Sequence, residues 1–314
     1  MNSITSQIAQ IFLVVALAPL ITGWVRLVKS RLNGRIGASP LQPYRDVYRL
    51  LQKEAVVAHS ASWVFRAAPY VTFAAVWLAA AIIPTFTTDI VLAPAADLIA
   101  LVALLAVARF WTALAGMDVG TSFGGLGASR EMMIASLAEP AMLMVSFSLS
   151  LISGTTAPAH IIGFILDGGI GLEVSMGLAL AALVMVAIAE NGRIPIDNPA
   201  THLELTMVHE AMVLEYSGRH LALIELSAAL KLLLYVSLIA CLFAPWGISA
   251  GSEPKLLIIG VAAYVGKLAV GGFMLAVFET SIAKMRVFRV PEFLGAALML
   301  ALLATLLRFV SRAF

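Results

Sequence analysis

Repeated apolar runs, each long enough to cross a bilayer, leave this chain few architectures. Spanning a hydrocarbon core takes about 20 apolar residues at about 1.5 Å of rise each. Charged residues make up only 12% of the chain, where a soluble protein carries about a quarter. The expected fold is therefore an all-α polytopic membrane protein with about eight transmembrane helices. They are placed at 8–28, 68–88, 97–116, 131–153, 174–190, 221–245, 255–280 and 292–310. No stretch marks a separate soluble domain, so residues 1–314 read as one transmembrane domain. The N-terminus has no basic residue before Arg26, unlike a secretory signal peptide, so its apolar run is expected to remain as the first span.

Charge asymmetry orients the spans. The connector 29–67 and its flanks hold Arg26, Lys29, Arg31, Arg35, Arg45, Arg49, Lys53 and Arg66. The loops 85–97 and 154–173 hold no Lys or Arg. Arg193 and Arg219 lie between spans five and six; Lys284, Arg286 and Arg289 follow span seven. The basic loops share one side, which the positive-inside rule makes cytoplasmic. Both termini then lie outside, with Arg308 and Arg312 running against the rule.

One stretch breaks the apolar pattern: AENGRIPIDNPATHLELTMVHEAMVLEYSG, 189–218. It gathers Glu190, Asp197, Glu204, Glu210, Glu215, His202, His209 and Arg193 in a cytoplasmic connector, 191–220. Its part LELTMVHEAMVLEY lacks Gly and Pro and is expected to form an amphipathic loop helix. At 100° per residue Glu204 and Glu215 share one face, while His202 and His209 share another.

Other charges fall inside spans: Arg109, Glu139, Lys231 and Lys267, with Glu225 and Glu279 nearer the cytoplasmic ends. A charge at mid-membrane costs at least about 2.5–3.5 kcal/mol on insertion scales. The set reads either as a proton or ion path or as paired charges holding helices in register.

Several motif readings fail. Asn198-Pro199-Ala200 matches the turn of water channels, but that architecture needs two such turns. His209-Glu210 begins a zincin motif, but Val213 stands where its second His is required. His202 and His209 are about 10 Å apart on a helix, too far to share one metal ion. One thiol, Cys241, cannot hold an iron–sulfur cluster. Gly124, Gly125 and Gly127 are expected to form a flexible loop before span four, or a turn with a close helix approach. The chain is thus expected to bind no cofactor of its own and to carry no catalytic or metal site.

Four ordered blocks resemble one family along almost the whole chain. They are KSRLNGRIGASPLQPYRDVYRLLQKE (29–54), GLGASREMMIASLAEPAM (125–142), the acidic connector with its terminal EYSG, and FETSIAKMRVFRVPEFLG (278–295). The chain resembles the NADH dehydrogenase subunit 1 family of complex I. It is more similar still to the membrane subunits of group 4 [NiFe] hydrogenases, such as formate hydrogenlyase subunit 4 and hydrogenase-4 component C. Where the complex I pattern has glutamates, this chain has Ala200 and His202, placing an imidazole where that pattern has a carboxylate.

The resemblance implies a non-catalytic subunit of a membrane oxidoreductase in a bacterial-type inner membrane. Such a subunit docks a soluble arm whose small and large subunits carry iron–sulfur clusters and, in hydrogenases, [NiFe]. Antiporter-like membrane subunits lie beside it. It links electron transfer to translocation of protons or Na+. The residues expected to carry that coupling are Glu139, Glu190, Asp197, Glu204, Glu210, Glu215, Lys231, Lys267 and Arg109. Arg35, Gln42, Asp46 and Arg193 are expected to serve docking. Three alternatives stay open: a quinone-site-forming subunit of an NADH dehydrogenase-type complex, a stand-alone transporter or channel, and an enzyme with its own site.

Overall fold

The computed structural model describes residues 3–168, 173–193, 208–249, 254–282 and 289–313. Among them are the helices α1 (Ser3–Leu32), α2 (Gln42–Leu51), α3 (Trp63–Ile82), α4 (Leu98–Asp118), α5 (Ser122–Ser153) and α6 (Pro158–Leu166). They continue with α7 (Val174–Glu190), α8 (His209–Val213), α9 (Gly218–Phe243), α10 (Pro254–Ser281) and α11 (Val290–Ala313). Seven of the described helices, α1, α3, α4, α5, α9, α10 and α11, are long and apolar enough to cross a membrane, and α7 is a shorter apolar helix. The chain is a multi-pass, all-α membrane protein.

The local chemistry explains where helices start and stop. Ser62, Asp97 and Thr121 cap α3, α4 and α5 by accepting from the amides of Val64, Ile99 and Gly124, each satisfying an amide the first turn leaves open. The α3 helix ends at Ile82, ahead of the expected 88. Ile83 precedes Pro84 and is extended, at φ −75° and ψ 122°, as a residue before proline prefers. The chain beyond folds back instead, pairing Thr87 with Ser249 in an isolated bridge. Helices α2 and α6 lie in stretches expected to be loops.

The α9 helix is central and packs against α1, α2, α3, α7 and α10. The α5 helix packs against α4, α7, α8 and α11. Two polar side chains reach backbone carbonyls of neighbouring helices and turns. Gln10 donates to the Ala81 and Ile83 carbonyls at 3.0 and 2.6 Å, and Trp24 to that of Ala269 at 3.0 Å. Residues 32–62, 118–122, 190–193 and 208–218 gather at one end, the connector end. Glu173 and Arg308 pair at 2.6 Å near the other, so the arginine that ran against the charge rule is offset by an acid.

The glycines expected to form a loop before span four lie inside α5. Two of them mediate close contacts that a side chain would block. A Cβ on Gly124 would stand 2.0 Å from the Gly116 carbonyl oxygen of α4, and one on Gly127 would stand 2.8 Å from the Val208 carbonyl oxygen. Gly125 faces open space. Gly124→Ala should therefore destabilise the fold by about 1–3 kcal/mol, the usual cost of overpacking. Gly125→Ala should not, since it adds helix propensity without a clash. Thermal unfolding of the two variants in detergent checks this.

Candidate functional site

Five helices bring ionisable groups to one place near the connector end. The α4 face that buries Leu105, Ala108 and Thr112 also carries Arg109, whose side chain is 3% exposed. Its Nε lies 3.3 Å from a Glu131 carboxylate oxygen and its Nη1 lies 3.0 Å from Glu139, both on α5. Its Nη2 pairs with Glu190, the last residue of α7. The other oxygen of Glu190 meets the Lys231 ammonium of α9 at 2.9 Å. The result is a continuous row: Lys231, Glu190, Arg109, then Glu131 and Glu139.

Burial grades along this row. The Glu190 side chain is 1% exposed, whereas that of Glu139 is 37% exposed. Glu139 precedes Pro140 inside α5, and proline has no N–H to give the preceding turn. Three carboxylates face two cations, so the row can take up one proton without stranding either cation. Removing one partner from such a pair leaves an uncompensated charge and typically costs about 3–5 kcal/mol.

A cavity of about 110 Å³ adjoins the row. Arg109, Glu131, Glu190 and Lys231 line it on the membrane side, and Asn191, Gly192, Val208 and His209 on the connector side. His209 is partly buried in the short helix α8. Burial pushes its imidazole below the ordinary histidine value; nearby Glu131 opposes this and Lys231 reinforces it.

The other candidates are dispersed. Lys267 on α10 stands apart from the row. Glu210 and Glu215 are exposed at the connector end. Asp197, Glu204 and His202 lie outside the described residues. Of the amphipathic helix expected over 203–216, His209–Val213 is helical, and Leu214 and Glu215 form a turn. Arg35 is exposed on the first connector, and Gln42 donates to Asp46 at 2.8 Å one turn along α2. Arg193 is engaged within the chain: it meets Glu279 at 3.1 Å, and Glu279 also binds Lys29 at 2.6 Å.

Glu131 was missed at the level of sequence. Its neighbours Gly124, Gly125 and Gly127 placed it beside a loop, whereas its position eight residues before Glu139 on one continuous helix was the signal available. The EYSG segment proves architectural as well as acidic. Tyr216 stacks on Phe65 at 3.9 Å and donates to its carbonyl. The Ser217 hydroxyl both donates to and accepts from the Val56 backbone. At Gly218, φ is +52° and a Cβ would stand 2.3 Å from the Glu54 carbonyl oxygen. These contacts fasten the connector before α9 to the connector before α3. Among the described residues no group of three or more His, Cys, Asp or Glu is placed to hold a metal ion.

The NADH dehydrogenase family model matches residues 5–310. The chain belongs to that family. It is 32% identical over 302 residues to formate hydrogenlyase subunit 4 of Escherichia coli (strain K12), covering 96% of this chain and 97% of that one. It is 32% identical to hydrogenase-4 component C of the same organism, covering 95% and 93%. A subunit of the NADH-quinone oxidoreductase of Bordetella pertussis is 29% identical over 71% of this chain and 66% of its own length. The fold matches a chain of the membrane-bound sulfane sulfur reductase, an archaeal respiratory membrane complex. That match has a TM-score of 0.80 and 18% identity, covering 96% and 98% of the two chains.

Two outcomes follow from the geometry. Glu190→Gln should lower stability by about 3–5 kcal/mol, since Arg109 and Lys231 both lose their shared counter-charge. A depressed histidine adds stability that is fully present above its unfolded pKa of about 6.5 and is lost as pH falls through its lower folded value. The unfolding midpoint should therefore drop as pH goes from about 7 to 5, and His209→Gln should flatten that drop.

Proposed function

We propose that this chain is the membrane anchor and ion-coupling subunit of a hydrogenase-like or complex I-like redox complex. The observation that carries the reading is the buried row Lys231–Glu190–Arg109–Glu139 with Glu131, adjoining a cavity whose far wall is the connector helix α8. A change in charge or position at that wall acts on Glu131 and Glu190 directly, and the excess carboxylate gives the row a proton to gain or lose. Burial strengthens such coupling because electrostatic interactions in a low-dielectric interior are weakly screened.

The soluble arm docks at the connector end, which faces the cytoplasm of a bacterial-type inner membrane. The first connector supports this: Ile36 is 92% and Val56 74% exposed among exposed arginines, a surface better suited to a protein partner than to water. Electron transfer then belongs to partner subunits with iron–sulfur and, in the hydrogenase case, [NiFe] groups. The relatives named for formate hydrogenlyase and hydrogenase-4 favour that case. Arg35, Gln42 and Asp46 belong to the docking surface. Glu210 and Glu215 border it, and Arg193 with Glu279 ties the connector to α10.

The test is proton uptake by vesicles holding the purified complex. Glu139→Gln and Glu190→Gln should cut coupled proton uptake by about tenfold or more while the soluble arm stays bound and still transfers electrons. Wild-type uptake in both variants would overturn the coupling role. A tagged wild-type chain that leaves mild detergent without redox subunits would overturn the anchor role.

A further inference from the structure

Lys267 lies outside the row, midway along a membrane-spanning helix, and among the described residues no ion pair engages it. It stands midway along the apolar stretch of α10, twelve residues from Lys255 and twelve from Glu279. At the helical rise, each end lies about 18 Å away, beyond the reach of a snorkelling lysine. The Trp24 bond to Ala269 ties this part of α10 to α1. No ion pair to Lys267 forms among the described residues.

The neighbouring surface is built for close approach. Lys267 lies on the flank of α10 toward α9, where the neighbouring Gly271 is in reach of Val236, and it is only partly buried. Next to it, Gly266 is exposed, and a Cβ there would meet nothing within 4 Å. Val270, Phe273 and Met274 continue an exposed apolar face at 59%, 48% and 66%. On its buried side α10 rests against α1 and α9, with Tyr264 bonded to Ser237 at 2.7 Å, so the lysine flank is left at the edge of the bundle.

We propose that the α9–α10 flank around Lys267 is a docking surface for a transmembrane helix of another membrane subunit, one that carries an Asp or Glu at mid-bilayer. Charge complementarity selects this occupant. An intramembrane lysine is costly when unpaired, and an opposing carboxylate removes that cost while fixing the depth and register of the incoming helix. Lipid phosphate is excluded by depth. A second copy is a poor match, because Glu131, Glu139 and Glu190 are committed to Arg109 and Lys231. The glycine at 266 lets the two backbones come close. The proposal rests on the reading that the chain works inside a multisubunit membrane complex, and it adds which face meets a membrane partner and by what chemistry.

The test uses the whole complex, purified in mild detergent from native membranes through a tag on this chain. A photoreactive residue placed at Val270, with Gly266 and Lys267 intact, should cross-link to a membrane subunit at a helix bearing a mid-membrane Asp or Glu. Lys267→Glu should then reduce recovery of that subunit by about tenfold, and converting the partner's carboxylate to Lys should restore it. The soluble arm should stay bound throughout. Cross-links to lipid alone, to a second copy, or to a helix without an intramembrane acid would overturn the proposal. So would full recovery of the subunit with Lys267→Glu. If Lys267→Glu fails to fold, Lys267→Met and the cross-link at Val270 decide. Loss of the soluble arm from the unmodified complex would instead count against the anchor role, so the two readings fail separately.

Discussion

A guanidinium held in the membrane is the constraint around which the other helices arrange themselves. Arg109 is almost wholly enclosed, and an arginine there is tolerable only with its charge and donors engaged. Its three carboxylate partners come from two different helices. That requirement fixes the distance of α5 and α7 from α4 and, through the Lys231 link, the rotation of α9. Apolar packing alone specifies these less tightly, because lipid is as apolar as leucine and gives helices little reason to prefer one face. The Gly116–Gly124 approach supplies the short spacing of α4 and α5 that such contacts demand.

The same row invites comparison with purely structural ion networks. A network built only to lock helices balances its charges and buries them evenly. This one has a surplus carboxylate, a gradient of exposure from Glu190 to Glu139, and a cavity against a connector helix. A lock built only to hold helices in register needs none of these features. They also explain why replacing one member is expected to disturb both folding and coupling.

Sequence periodicity and composition revealed the helical membrane fold. The insertion cost of charges singled out Arg109, Glu139 and Lys231 along with Lys267, and the acidic connector run singled out Glu190. Arg109, Glu139, Lys231 and Glu190 lie in one row. What could not be read was which charges meet. Lys29 and Glu279 are 250 positions apart, and Lys267 resembles Lys231 in every local respect yet stands alone among the described residues. Glu131 escaped notice because glycines carry two opposite meanings. They open loops by conformational freedom, and they admit neighbouring backbones by lacking a side chain. Only the packed structure shows the second meaning at Gly124 and Gly127. The end of α3 shows the converse, a proline whose local effect overrode a run of apolar residues.

Gly127 touches α8 through the Val208 carbonyl and the Met212 and Ala211 side chains, one helical turn before Glu131. With no side chain on the α5 side, the Val208 carbonyl and the α5 backbone meet directly. A longer residue would act as a spring and absorb small displacements. Here a push on α8 moves the backbone that carries Glu131, so the contact behaves as a rigid strut between the water-facing surface and the first carboxylate beside Arg109. Stiffness at this point, more than affinity, is what the missing methyl group provides.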